Sequence, residues 1–176
     1  MTGTIDEDTS TTALTWNMIE KHAARIAAAA RAGGVPQTIV AVVRGGMVPA
    51  VVLAHQLGVR DVRALEVTHN VDDSTNAAKT ARPQTRNGDS LGDVTGLDVL
   101  VVDDVAGTGE TLATAVRLVE QAGAARVRSA VLVVNEANWT GGRPPGESVT
   151  CIGEMVRRWV IFPWETSALV GREGVS

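Results

Sequence analysis

The stretch Val99-Leu-Val-Val-Asp103-Asp104-Val-Ala106-Gly107-Thr108-Gly109-Glu110-Thr111-Leu112 decides how the rest of the chain is read. An apolar, largely β-branched run ends in two adjacent carboxylates, and a Gly/Thr turn then enters a helical pattern from Glu110 to Gln121, closed by Gly123. A strand handed to a helix in this way places its ligand at the carboxyl edge of a parallel sheet. The glycines let backbone N–H groups approach an anion, Thr108 and Thr111 add hydroxyl donors, and the helix N-terminus favours negative charge. Ala106, Gly107, Thr108, Gly109, Glu110 and Thr111 therefore form a candidate phosphate loop. It is not a Walker A loop, because Gly109-Glu110-Thr111 stands where Gly-Lys-Thr is required, nor a dinucleotide fingerprint, because Leu112 occupies the place of the third glycine. Beside a monophosphate, Asp103 and Asp104 suit a ribose. Their oxygens accept hydrogen bonds from vicinal hydroxyls and can recruit Mg²⁺ directly or through water.

Working outward, Thr38–Val43 is a second apolar run, and it too enters a glycine turn and a helix, through Arg44-Gly45-Gly46-Met47-Val48-Pro49. Arg44 offers a planar fork of donors, and the amides of Gly45 and Gly46 lie beside it. Two anion sites flanking a diol-binding acid pair fit a sugar with phosphate at one end and pyrophosphate at the other. Periodicity predicts helices over 14–31, capped by Thr15 and ended by Gly33-Gly34, and over 48–57, with strands at 61–68 and 126–134. This βαβ alternation predicts an α/β fold with a mainly parallel central sheet flanked by helices. From His69 to Gly96 the pattern collapses, and a stretch of that length reads as a lid. After Asn135 the alternation stops, with a loop at 141–146 and short strands between Val149 and Val160 expected in a small appendage.

The chain has 176 residues, 44% of them apolar and 20% charged, with a net charge of −4. That is a globular composition of one domain, with the wrong sign for a surface dedicated to nucleic acid. The single cysteine, Cys151, excludes an internal disulfide and fits a reducing compartment. The acidic start is not a secretory signal, and no apolar run reaches the roughly 20 residues of a membrane span, so a cytoplasmic location with no membrane partner is expected. The expected organisation is a flexible tail over 1–12, a core over 13–135 with the lid at 69–96, and a hood with the C-terminal tail over 136–176. Four Trp and one Phe are the only aromatic side chains of their kind, with no Tyr, and three of the Trp lie between 139 and 164.

These motifs resemble those of the type I phosphoribosyltransferases and, more narrowly, of the bacterial xanthine-guanine phosphoribosyltransferases. The likeness runs from about Thr15 to Glu165 and includes Thr15-Trp16-Asn17-Met18, Arg44-Gly45-Gly46-Met47-Val48-Pro49-Ala50 and Trp159-Val160-Ile161-Phe162-Pro163-Trp164-Glu165. It implies that fold with a small C-terminal hood, and Mg²⁺-dependent transfer of a phosphoribosyl group from phosphoribosyl pyrophosphate (PRPP) to a ring nitrogen of a purine-like base. It further implies Asp103, Asp104 and Arg44 as catalytic residues, Asp103 and Asp104 toward the metal, and Ala106–Thr111 for the 5′-phosphate. Arg44–Gly46 would take pyrophosphate, Asn135, Trp159, Val160 and Glu165 the base, and a homodimer or homotetramer is implied. At three places the chain departs from oxopurine enzymes. Gly107 stands where they carry an Asp, Asn135 where they carry a Lys, and Thr68-His69 where they carry Ser-Tyr. The phosphoribosyl half matches and the base half is altered, which leaves a non-standard heterocycle such as a deazapurine as one alternative and a non-catalytic PRPP or nucleotide sensor as another.

Overall fold

A computed structural model describes residues 11–70, 79–85 and 88–165. In chain order they form β1 (Thr11–Ala13), α1 (Trp16–Ala32), β2 (Thr38–Val43), α2 (Met47–Leu57), β3 (Asp61–Asn70), β4 (Lys79–Thr85), a 3₁₀ turn (Gly88–Leu91), β5 (Asp98–Ala106), α3 (Glu110–Gln121), β6 (Arg126–Asn135), α4 (Pro145–Ser148), β7 (Cys151–Val156) and β8 (Trp159–Ile161). Six strands make the central sheet in the order β4-β3-β2-β5-β6-β7, parallel throughout except for the antiparallel β3–β4 pair. The fold class is the mainly parallel α/β sheet that the alternation predicts.

The central strands are apolar on both faces because helices cover both. Val99–Val102 and Ala130–Val134 are completely buried. Ile19, Ala23 and Ile26 of α1 and Ala50 and Leu53 of α2 close one face over Ile39, Leu100 and Leu132. Leu112, Ala115 and Val119 of α3 close the other over Val40, Val101 and Val131. Thr15 caps α1 as expected, its hydroxyl accepting the Met18 N–H at 3.3 Å, and Gly33 ends the helix. Among the described residues, no helix is long and apolar enough to cross a membrane.

Three expectations change. Thr11 and Thr12, assigned to the loose tail, form β1 with Ala13, paired in parallel with β8 through Thr11–Trp159, Thr12–Val160 and Ala13–Ile161. The strand at 151–156 is no appendage. It joins the main sheet beside β6, so only β1, β8 and the turn after them stand apart. The stretch at 69–96 is partly regular. His69 and Asn70 prolong β3, and Lys79–Thr85 pairs back on it as an edge strand, where Pro83 and a polar sequence are tolerated. Positions 71–78 and 86–87 of the expected lid lie outside the described residues.

Arg63 ties down the return of that stretch, alongside the Ser90 hydroxyl, which donates to the Ala64 carbonyl at 2.7 Å. Arg63 holds Asp61 through Nε at 3.1 Å and Nη2 at 2.8 Å, and its Nη1 donates to the carbonyls of Leu91 and Asp93 at 2.8 and 2.6 Å. The guanidinium also holds the Asp61 carboxyl below its ordinary value, with the Thr38 hydroxyl assisting against burial. Arg63→Met is expected to lower stability by about 1–2 kcal/mol, since the carbonyls lose a charged donor. Amide exchange should accelerate selectively at residues 88–94. Denaturant melts with hydrogen exchange would check this, and exchange unchanged in that segment would refute the tie.

Candidate functional site

β5 runs to Ala106, two residues past the acid pair, so Asp103 and Asp104 lie on the strand itself, with Asp103 paired against Val131 of β6. Both are buried, 7% and 8% exposed, although ionised carboxylates are rarely so enclosed. Asp103 Oδ1 accepts the Asp104 N–H at 2.9 Å, and Asp104 Oδ1 accepts the Val105 N–H at 2.7 Å. Burial raises the Asp103 carboxyl well above its ordinary value, and the neighbouring Asp104 charge adds to it. Burial also raises Asp104, with the Glu165 carboxylate contributing, against hydrogen bonds that favour the charged form. No ion pair among the described residues reaches either acid.

The Arg44–Gly46 turn packs directly on this pair. A Cβ on Gly45 would fall 2.1 Å from Asp104 Oδ2, and one on Gly46 would fall 2.4 Å from the Val102 carbonyl and 2.5 Å from that of Val42. At Gly46 a side chain would strike backbone, and at Gly45 it would displace the Asp104 carboxylate. Gly46 donates to Val42 O at 2.9 Å and opens α2, which turns the backbone sharply at the end of β2. The Val43–Arg44 peptide is cis, and Arg44 is exposed at the tip. One carboxylate and one glycine turn thus share a single surface.

On the neighbouring strand, the loop 106–109 leads into α3. Gly109 takes φ +82° as its N-cap, in the left-handed region where glycine is at ease. Thr108 Oγ1 accepts the Glu110 N–H at 3.4 Å, and the first-turn amides of α3 have no partner within the helix, as at any helix start. Gly107 is different: its φ is not positive, and a Cβ there would meet only Asn138 Cβ at 3.9 Å. Position 107 is thus sterically open.

The base-side candidates are spread around the ends of β6 and β8. Asn135 is buried, and both ends of its amide are engaged by backbone, Nδ2 donating to Arg158 O at 3.3 Å and Oδ1 accepting the Ala137 N–H at 3.1 Å. Trp159 is 65% exposed, whereas Val160 is buried. Because Ile161 O accepts from Leu14 of the β1 segment, the alternation of peptide groups along β8 turns the main-chain N–H and C=O of Val160 away from β1. Glu165 Oε2 accepts the Phe162 N–H at 2.8 Å and its charge is felt at Asp104, so this turn lies near the acid pair. Trp164 stacks on Phe162 at 4.6 Å and tilts against Trp16 at 5.8 Å. Trp139 sits elsewhere, against Gly109, a contact that the sequence reading missed.

The residues fit a divalent cation in one respect. Two desolvated carboxylates with raised pKa and no protein cation paired to them offer hard oxygen donors, while no cluster of three or more potential ligands occurs among the described residues. Such an ion would need substrate oxygens or water to complete its shell.

Residues 11–170 match the phosphoribosyl transferase domain family. The chain is 28% identical to a xanthine-guanine phosphoribosyltransferase from Gluconobacter oxydans (strain 621H) over 159 residues, covering 89% of this chain and 85% of that protein. Its fold is similar to that of a purine phosphoribosyltransferase from Pyrococcus horikoshii OT3, with TM-score 0.66, 28% identity and coverage of 88% of this chain and 93% of that one. A protein from Neisseria gonorrhoeae solved with bound ppGpp shares the fold at TM-score 0.71 and 21% identity, over 93% of this chain and 98% of that one. A mainly parallel sheet with two glycine turns and an acid pair at one edge, and a family match over nearly the whole described chain, lead to one conclusion: the chain belongs to the phosphoribosyl transferase domain family and is an enzyme of the glycosyltransferase class.

Proposed function

We propose that the enzyme transfers a 5-phosphoribosyl group from PRPP to a ring nitrogen of a purine-like base and releases pyrophosphate. The carrying observation is the contact of Gly45 with Asp104, which joins the turn proposed for pyrophosphate to the acid proposed for ribose. In the reaction the C1′–O bond to pyrophosphate breaks, the C1′–N bond forms, and the base nitrogen loses its proton. The loop 106–111 anchors the 5′-phosphate, Asp103 and Asp104 accept the ribose hydroxyls, and Arg44 with the Gly45 and Gly46 amides takes the charge growing on pyrophosphate. Asp103 and Asp104 would hold Mg²⁺, which supplies further neutralisation of the pyrophosphate when bound.

On the base side, Trp159 stacks on the heterocycle and the Val160 main chain reads its edge. Asn135 has one amide hydrogen left for the base, and Glu165 one carboxylate oxygen. With Gly107 where the resemblance implies an Asp, either another group takes the base proton or the heterocycle, including a non-standard one, enters with that proton already lost. Release of pyrophosphate should be followed over a panel of oxopurines, aminopurines and deazapurines, with Mg²⁺ and with chelator. Turnover with at least one base, abolished by chelator, is expected. PRPP binding without release on any base would instead favour the sensor. Trp159→Ala should raise KM for the accepted base about tenfold and leave KM for PRPP within about twofold, since a stacked ring is worth roughly 1–1.5 kcal/mol. Equal increases in both constants would remove Trp159 from the base site.

A further inference from the structure

Trp139 lies between two glycines. The outer edge of its six-membered ring meets Gly109, where a Cβ would fall 2.6 Å from Cη2 and Cζ3. The adjoining part of the indole meets Gly141, where a Cβ would fall 2.8 Å from Cε2, Cζ2 and Nε1. The indole thus fills space that exists only because both positions lack a side chain. Its Nε1–H donates to the Arg143 carbonyl at 2.8 Å, which fixes the ring in its own plane.

What lies around the ring makes the contact consequential. The crossover from β6 to β7 carries only the four-residue α4 as regular helix, so it leaves part of the sheet and the flank of α3 uncovered. A cavity of about 460 Å³ remains there, with Thr108, Gly109, Glu110, Ala113, Val116 and Trp139 among its walls. The loop that enters α3 is therefore bordered on that side by an open-sided cavity and by Trp139. Trp139 is the rigid body that spans from the Gly141–Arg143 backbone to Gly109.

We infer that Trp139 is a positioning residue for the phosphate loop, holding the backbone of residues 107–109 from behind without touching substrate. The inference rests on the reading of that loop as the 5′-phosphate site. Converging N–H donors bind an anion well only while their distances and angles are kept, so displacement of the loop weakens phosphate binding before it alters anything at the reacting carbon. Gly141 belongs to the same device: a methyl group there overlaps the indole and displaces it from its seat on Gly109.

The test uses the full chain and ribose 5-phosphate as calorimetric probe, with steady-state kinetics alongside. Trp139→Ala is expected to weaken ribose 5-phosphate and raise KM for PRPP, each by about tenfold, with kcat within about twofold. Trp139→Phe, which lacks the Nε1–H and the full reach of the indole, should fall between. Gly141→Ala should weaken the probe about fivefold in the wild-type background and have no effect on top of Trp139→Ala, because its influence passes through the indole. If Trp139→Ala does not fold, Trp139→Phe and Gly141→Ala carry the test. Wild-type affinity in both of those, or a fall in kcat matching a general loss of stability, overturns the inference while the phosphate loop stands. A wild-type protein that binds neither ribose 5-phosphate nor PRPP overturns the reading of the loop itself, and the inference with it.

Discussion

Asp103→Asn is expected to raise the melting temperature of the metal-free protein at neutral pH while lowering turnover by about two to three orders of magnitude. The two effects share one cause. Burial, then the charge of Asp104, lifts the Asp103 carboxyl well above its ordinary value, so the folded state binds this proton more tightly than the unfolded chain does. The stability that this proton contributes is complete below the unfolded carboxylate value of about 4, and it is lost as pH rises through the raised folded value. As pH rises above about 4 the wild-type protein therefore loses stability that an uncharged amide at this place keeps. Asn keeps the acceptor for the Asp104 N–H and removes the charge. In chelator, the melting temperatures of wild type and variant should coincide near pH 4 and diverge as pH rises, by about 2–4 °C for each kcal/mol recovered. Asp104→Asn should behave alike with a smaller gain, since its hydrogen bonds already favour the charged form. Turnover should fall in both, because an amide neither matches a carboxylate as acceptor for ribose hydroxyls nor attracts a divalent cation. A variant that melts below wild type at neutral pH would mean that the charge is compensated in the fold.

How much of this site could be read beforehand depended on whether the signal was local. The strand, acid pair and phosphate loop were legible because apolar run, carboxylates and glycines follow one another in sequence, and α3 spans the same residues that its periodicity indicates, Glu110–Gln121. β4 was not legible, because Lys79–Thr85 is a polar edge strand containing Pro83 whose pairing depends on β3. The placement of β7 beside β6 was missed for a related reason: without a long crossover helix, nothing in residues 136–150 announces another βαβ unit. Asn135 was expected to face the base, yet as the last residue of a strand its side chain turns back on the following backbone, a local habit of Asn at turns. Of the three Trp between 139 and 164, the resemblance assigns only Trp159 to the base, and the structure gives each different surroundings. Trp164 packs with Phe162, Trp139 supports the loop, and of the three Trp159 alone stands widely exposed. None of these divisions follows from spacing, because each depends on which distant backbone comes near.

Gly45→Ala and Gly46→Ala are expected to fail in different ways, and the difference tests how the two anion sites are joined. The added methyl at Gly45 would fall 2.1 Å from Oδ2 of Asp104, an overlap with a side chain that can rotate away. Rotation breaks the Asp104 Oδ1 contact with the Val105 N–H and moves the carboxylate from its place beside the turn. Gly45→Ala should therefore fold with a loss of about 1–3 kcal/mol. Its activity should fall about a hundredfold or more, because the ribose-binding acid and the pyrophosphate turn can no longer both hold their places. At Gly46 the methyl would fall within 2.5 Å of the Val42 carbonyl and 2.4 Å of the Val102 carbonyl, both in central strands of the sheet. Neither can yield without parting β2 from β5 or unwinding the start of α2, so the expected loss is about 3 kcal/mol or more, enough to leave much of the protein unfolded at 37 °C. Neither effect comes from backbone angles, since neither glycine has a positive φ. Circular dichroism melts with pyrophosphate-release kinetics separate the cases: Gly45→Ala folded and nearly inactive, Gly46→Ala weakly folded. The reverse pattern, or two folded and active variants, would mean that the turn lies farther from Asp104 and from the strands than its close contacts indicate, and the proposed coupling of pyrophosphate and ribose sites would fall with it.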